Sequence, residues 1–494
     1  MENVDFANSV PSVAGEFGSV DLGDVRLHAR IASVASRLSA APALGFPQAL
    51  KTEAETEGFY RLVGNSRVTY GRLVDAHVEQ TVGRMVPGAT VRVLHDTTEF
   101  SFSGEPGSRE GLGHARSKSS AQGFFGHASF AVTATDVPVP LGALGLFCWA
   151  RTQRREKARP GRRLAGWDLA RMPGKESARW GQQIDAAEAA VGNRSSLVHI
   201  MDREADAYPL FCDMAAKDRR FVVRMSRDRV VYGVDPDGCL VEDGGLRLSE
   251  ALTTLQLSCT REVALARRAG SKIPGTRRTH PPRAGRSATL AISAGRLALR
   301  RPHYFGEELP DALEVHVVYV HEVNTPSGCD PVSWVLVTNE PIATPAQVEA
   351  VIDHYRGRWI IEEFFKALKT GCAFESRQLE SFATLTNALA LFVPIAWQML
   401  LLRSLTRTSP DAPASDALTP VQIQILRHFQ RAKMPAANAT VRDALYAVAG
   451  LGGHLKNNGF PGWLTLTRGM QELVALEAAW TAGAASAAET NGNP

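Results

Sequence analysis

HYRGRWIIEEFFKALKTG, residues 354–371, decides how the rest of the chain is read. Projected as one helix at about 100° per residue with Tyr355 at zero, it brings Arg358 to roughly −60°, Glu362 to −20°, Lys369 to −40° and Lys366 to +20°. Ile361, Phe364, Phe365 and Leu368 fall on the other side, which is the side expected to be buried. One acid therefore stands in a row of cations beside a phenol. A lone carboxylate in that setting suits a metal ligand whose neighbours hold a phosphate backbone.

A single carboxylate holds catalytic Mg²⁺ poorly. That ion takes oxygen ligands in octahedral geometry, commonly one or two carboxylates plus substrate phosphate oxygens. Two further acids stand after strand-like apolar runs. In TVRVLHDTTEF (90–100), Val91, Val93 and Leu94 precede Asp96, and in SSLVHIMDREAD (195–206), Leu197, Val198, Ile200 and Met201 precede Asp202. Two strand-end aspartates and a helical glutamate form the donor set of a two-metal phosphoryl-transfer site, with Mn²⁺ able to substitute for Mg²⁺. Each Asp also has a plainer reading, as a turn former or a helix N-cap.

These segments resemble a known family. DTTEF (96–100), DREAD (202–206) and the Tyr-x2-Arg-x3-Glu-x6-Lys spacing are similar to the insertion-sequence-four family of DDE transposases, in its transposon-five-like group. The resemblance extends to DLGDVRLHARIASVASRL (21–38), EGFYRLVGN (57–65), WVLVTNEPI (334–342) and GWLTLTRGMQELVALEAAW (462–480), nearly the whole chain. It implies that Asp96, Asp202 and Glu362 are the catalytic, metal-binding triad. It implies that Tyr355 and Arg358 grip a phosphate, and that Lys366 and Lys369 hold the transposon-end backbone. Trp334 would stack on a base flipped from the duplex, whose extrusion costs a few kcal/mol. His127, in GFFGHASFAV, matches a histidine near the first Asp and joins the expected DNA contacts. The expected activity is cut-and-paste transposition by hydrolysis, hairpin formation and strand transfer. The alternatives are a structure-specific nuclease that does not join, and a catalytically silent DNA-binding regulator. The expected partners are double-stranded DNA, as transposon ends and as target, and a second copy of the chain in a synaptic homodimer.

Composition fits this reading. The 494 residues exceed one ordinary core, so several domains are expected. A net charge of +4 conceals two basic blocks: residues 151–179 carry a local +7 and residues 261–301 a local +10. Such blocks are the electrostatic footprint of a DNA path and argue against a hydrolase of small phosphoesters. The loop SKIPGTRRTHPPRAGR (271–286) lies within the second. The six cysteines are scattered without C-x2-C spacing, so neither a zinc site nor a disulfide framework is indicated. ALALFVPIAWQMLLL (388–402) reads as a buried helix too short to span a bilayer, and MENVDFANSV carries no secretory pattern. The expectation is a cytoplasmic, nucleoid-associated protein without membrane contact.

The expected fold is multi-domain α/β. Residues 1–75 form a helical end-binding domain, with Arg26, Arg30, Lys51 and Arg61 as candidate backbone contacts. Residues 76–228 and 331–403 form a ribonuclease-H-like core with strands at 90–95, 125–134, 143–149 and 219–228. Residues 229–330 form an antiparallel β-rich insertion. After an exposed linker beginning at Ser404, residues 404–482 form a helical dimerisation domain, and 483–494 a disordered tail.

Overall fold

The computed structural model describes residues 12–491, apart from 106, 115–121, 152–177, 236–239, 266–281, 283, 430, 431, 433 and 456–458. Most of the first basic block (151–179), and residues 266–281 and 283 of the second, which include most of the 271–286 loop, lie outside the described residues. In chain order the chain forms helices α1 (Val25–Ala40), α2 (Phe46–Leu50), α3 (Glu53–Val63) and α4 (Tyr70–Gly83). Strands β1 (Thr90–Phe102), β2 (Gly113–His114), β3 (Gln122–Thr133) and β4 (Pro140–Trp149) follow. Next come α5 (Ala178–Val191), β5 (Ser196–Met201), α6 (Tyr208–Ala216), β6 (Arg220–Arg224), β7 (Val230–Val234), β8 (Leu240–Arg247) and α7 (Leu248–Ala251). Strands β9 (Gln256–Leu265), β10 (Arg286–Arg300), β11 (Ala312–Val323) and β12 (Ser333–Thr338) precede α8 (Pro345–Arg356), α9 (Trp359–Lys366) and α10 (Phe382–Thr408). The chain ends in α11 (Pro420–His428), α12 (Val441–Leu451) and α13 (Trp463–Asn491).

Two compact units result. The first is Met1–Lys157, Gln182–Leu197 and Trp359–Pro494; the second is Ala158–Gly181 and Val198–Arg358.

In the first unit the N-terminal helices start on side-chain caps. Asp24, Thr52 and Thr69 accept from backbone N–H groups two or three residues on, at 2.9, 3.1 and 3.4 Å; each such cap contributes ~1 kcal/mol. These helices pack on α10, a core helix rather than a membrane span. It is the one described helix long and apolar enough to cross a bilayer, but 94% of its apolar window is buried inside the protein. A helix apolar on every side must be covered on every side. Asn387 on α10 donates to Val63 O and Val68 O at 2.9 and 2.8 Å, fixing the end of α3 to it. Arg377 donates to Pro42 O, Leu44 O and Cys372 O and lies over the Phe46 and Phe392 rings.

A buried ionic cluster ties the N-terminus to the sheet. Arg84, just after α4, donates to Glu16 Oε1 at 2.7 Å and to Leu141 O of β4 at 2.7 Å, and its guanidinium lies 3.9 Å from the Trp397 ring centroid. His77 Nε2 accepts the Ala143 N–H at 3.1 Å, so its proton sits on Nδ1 and is donated to Glu16. Gly142 leaves room for this cluster: a Cβ there would lie 2.2 Å from Thr81 Oγ1.

Strands β1 and β3 pair antiparallel along their whole length, from Val91↔Thr133 to Phe102↔Gln122. Strand β4 pairs with β3, with two bulges. In the second unit β5 runs parallel to β6, and the order continues β6-β12-β11-β10-β7-β8, with β9 also on β10. The strands from β7 to β11 are antiparallel to their neighbours, as the alternating runs between 229 and 330 predict.

Two expectations need correction. The exposed linker from Ser404 is absent: α10 continues to Thr408, and Ser404, Leu405, Thr406, Ala414 and Leu418 are buried. The polar letters there cap and line helices instead of solvating a loop. The apolar run at 388–402 belongs to a 27-residue helix, longer than expected. Helix α13 runs to Asn491, an extent that fits the high helix propensity of its alanine-rich sequence; residues 492–494 of the expected tail lie outside the described residues.

Candidate catalytic site

The deciding segment is not one helix. Helix α8 closes at Gly357, whose N–H donates to Asp353 O at 3.3 Å, and Arg358 stands in the turn before α9. Beyond α9, Ala367–Gly371 forms a π-helical turn. A single 100° projection therefore fails at both ends, and Tyr355 and Arg358 belong to the second unit while Glu362, Lys366 and Lys369 belong to the first. Within α9 the expected faces hold. Ile361, Phe364, Phe365 and the following Leu368 are buried, and Glu362 and Lys366 are exposed. A π-turn inside a helix commonly marks a functional site.

In the first unit, Asp96 lies mid-strand in β1 rather than at a strand end, because pairing with β3 carries the strand on to Phe102. Directly paired residues share a face of a sheet and successive residues alternate. Asp96, opposite Ala128, is therefore on the same face as Leu94 and its partner Phe130. Helix α9 covers that face: the Phe130 and Phe364 ring centroids are 4.6 Å apart. Asp96 and Glu362 are thus carried by two elements in direct contact. The Thr97 N–H donates to Asp96 Oδ1 at 2.7 Å.

His127 is a correction. It is wholly buried and pairs with Thr97, so it occupies the face opposite Asp96. Its Nδ1 is 2.9 Å from Thr97 Oγ1, and its ring stacks on His95, whose Nδ1 is 3.0 Å from Ser129 Oγ. The strand register holds it away from any DNA on the Asp96 face.

Both lysines already have protein partners. Lys366 donates to Glu363 Oε1 at 2.7 Å, and Arg403 lies 3.5 Å from the other Glu363 oxygen. Burial raises the Glu363 carboxyl, but the Lys366 and Arg403 cations outweigh it and hold the group below its usual value. Lys369, half-buried, donates to Glu99 O, lies 5.5 Å from the Phe100 ring centroid and is 3.6 Å from Glu375. It clamps the π-turn to β1. Arg26, Arg30, Lys51 and Arg61 are all exposed. Arg26 pairs with Asp24 at 3.4 Å, Arg61 pairs with Glu57, and Arg30 lies over Gly58.

In the second unit, Asp202 follows directly on β5, as expected. Its plainer role is realised too: Oδ1 accepts the Glu204 N–H at 2.9 Å and caps the turn Arg203–Ala205. Asp206 is structural. Buried, it accepts from Ser226 N and Arg227 N at 2.8 Å each and pairs with Arg229. Trp334 on β12 is half-buried, and its ring meets Tyr355 edge-on with centroids 5.7 Å apart. Tyr355 itself is only 7% exposed.

Among the described residues, no three His, Cys, Asp or Glu side chains are gathered within reach of one metal ion. The donor chemistry nonetheless suits a hard divalent cation. Asp96 and Glu362 offer carboxylate oxygens from packed elements, and neither Cys nor His accompanies them on that face of the β1–β3 pair. Sequence reasoning missed Thr97, whose backbone holds Asp96 and whose hydroxyl meets His127. The doubled Thr in DTTEF was the available signal.

Residues 12–68, which contain Arg26, Arg30, Lys51 and Arg61, match the family model described as transposase DNA-binding. Residues 177–393 match the model described as transposase DDE domain; the match takes in Asp202, Trp334, Tyr355, Arg358, Glu362, Lys366 and Lys369, and begins after Asp96 and His127. Two transposase domains in the order DNA-binding then DDE support the chain being a DDE transposase.

Proposed function

We propose that this chain is a cut-and-paste transposase of the insertion-sequence-four, transposon-five-like kind, and that Asp96, Asp202 and Glu362 are its metal-binding carboxylates. The observation that carries the reading is the placement of Asp96 on the α9-covered face of β1, with Glu362 on α9 and a strand-end Asp202 inside the matched DDE domain. The order of elements supports a ribonuclease-H-like core: three antiparallel strands, a helix, then a parallel strand pair. Divalent ions, Mg²⁺ or Mn²⁺, when bound would polarise the scissile phosphate and the attacking oxygen.

The protein's own groups then do the following. Thr97 N–H orients Asp96 through its Oδ1. Arg358 and the Tyr355 hydroxyl hold a phosphate beside the cut, and Trp334 turns from Tyr355 to a flipped base. Lys366 and Lys369 exchange their carboxylate and carbonyl partners for the transposon-end backbone. The exposed cations of residues 12–68 hold the end. Strand cleavage, hairpin closure and opening, and joining are all in-line displacements at phosphorus, so one site serves each in turn, within a synaptic pair of protomers.

The test is purified full chain with Mg²⁺ and a duplex carrying the element's ends. Hairpins and strand-transfer products are expected, and Asp96→Asn, Asp202→Asn and Glu362→Gln each abolish them while end binding persists. Nicked linear products alone would make the protein a nuclease, and unchanged cutting by Asp96→Asn would remove the metal assignment.

A further inference from the structure

The β-rich part of the second unit carries a basic cleft that the proposed chemistry does not use. It encloses about 300 Å³ and is lined by five arginines, Arg227, Arg229, Arg247, Arg300 and Arg301, with Tyr304 at its wall. The sheet builds it. Arg247, the last residue of β8, pairs with Val230, the first of β7, and Leu299 of β10 pairs with Val231 on β7's other side. Arg247 and Arg300 therefore flank the start of β7 on neighbouring strands, a row about 10 Å across.

Charge compensation divides these arginines. Arg229 is spent on buried Asp206, and Arg301 on Asp311 and the Gly306 carbonyl. Among the described residues, the Arg227 guanidinium reaches only the Tyr304 hydroxyl at 3.3 Å, and that of Arg247 only the Asp228 carbonyl at 3.1 Å. The Arg300 side chain is exposed and has no hydrogen bond or ion pair among the described residues. The one carboxylate lining the cleft, Asp228, is turned to Ser249, accepting from its N–H at 2.9 Å and its hydroxyl at 3.1 Å. Among the described residues, these three guanidinium groups thus have no carboxylate partner. Planar forks in a row match phosphate oxygens better than any single charge would. The lining includes neither Asn nor Gln, the residues that read adenine edges.

We propose that this cleft binds the phosphate backbone of duplex DNA without regard to sequence, through Arg227, Arg247 and Arg300. The proposal rests on the transposase reading for the identity of the polyanion. It adds a second grip, apart from the end-binding helices and the carboxylates.

The test is fluorescence anisotropy on the full chain with two duplexes, one carrying the element's end and one lacking it, between 50 and 200 mM salt. Each lost phosphate contact lowers the slope of log K against log salt by about 0.9. Arg247→Ala with Arg300→Ala is expected to flatten the slope by nearly 2 on both duplexes, while the double Lys variant keeps most of it. Both side chains are exposed, and circular dichroism checks that the variants fold. An unchanged slope in the folded Ala variant, or a loss confined to the end-containing duplex, overturns the cleft. Wild-type protein that binds neither duplex overturns the transposase reading itself.

Discussion

Arg84→Met should loosen the attachment of the N-terminal helices to the sheet that carries Asp96. The wild-type cluster contains one buried anion, Glu16, one buried cation, Arg84, and a neutral His77 whose tautomer is set by the Ala143 N–H. Met keeps most of the Arg84 volume but strands Glu16 with a single donor. Breaking one side of a buried pair costs ~3–5 kcal/mol. Loss of the donor to Leu141 O and of the cation over Trp397 keeps the figure at about 4 kcal/mol. At 1.4 kcal/mol per decade, amides of α4 that exchange through local opening should lose close to three decades of protection, ~10³-fold. Native-state hydrogen exchange on the full chain reads this directly. Adding Glu16→Gln removes the stranded anion, so the double variant should be more protected than the two single losses combined predict. The pH dependence has a definite sign. Glu16 lies below its ordinary value: burial raises it, but His77 and Arg84 together lower it more. His77 is lowered by burial, with Arg84 adding to the effect against Glu16. Both groups therefore stabilise the fold at neutral pH. The His77 part is lost as pH falls below about 6.5, the Glu16 part as it falls below about 4.5. Protection in Arg84→Met within tenfold of wild type would refute the reasoning.

Two further outcomes follow from the Asp96 face. Phe364→Ala removes a fully buried ring packed on Phe130 and Phe365; it should cost ~3–5 kcal/mol, read as a lower urea midpoint, with Phe364→Leu recovering most of it. Thr97→Val deletes the hydroxyl that meets His127 on the face opposite Asp96 but keeps the N–H that holds Asp96. It should cost about 1–2 kcal/mol, read as a lower urea midpoint that Thr97→Ser restores, with the Mn²⁺ concentration for half-maximal cleavage unchanged. A several-fold rise in that concentration would contradict the placement of Thr97 and Asp96 on opposite faces.

Much of this architecture is written in local patterns. The apolar runs before Asp202 and around 125–149 fold as paired strands whose residues are buried on both faces. The alternating runs between 229 and 330 are antiparallel strands because period two suits a half-covered sheet. The misreadings have physical causes. Asp96 looked terminal because polar residues follow it, but β3 supplies pairing through Phe102, and a polar residue costs a strand little where its side chain is hydrogen-bonded. The helix at 354–371 looked continuous because periodicity is blind to Gly357 and to the π-turn. His127 looked accessible because register is invisible in one strand read alone. The linker after Ser404 looked solvated because Ser, Thr, Asp and Pro serve equally as caps. The arginine cleft was hidden because SRDRVV and LALRRPH lie far apart in sequence and meet only at the ends of β7 and β10.

The central claim is that three carboxylates, Asp96, Asp202 and Glu362, hold the same divalent ions. Calorimetric titration of Mn²⁺ into the full chain bound to an end-containing duplex tests it most directly. Asp96→Asn, Asp202→Asn and Glu362→Gln should each lower the affinity at least tenfold, with DNA still bound. Wild-type Mn²⁺ affinity in any one of the three would contradict it.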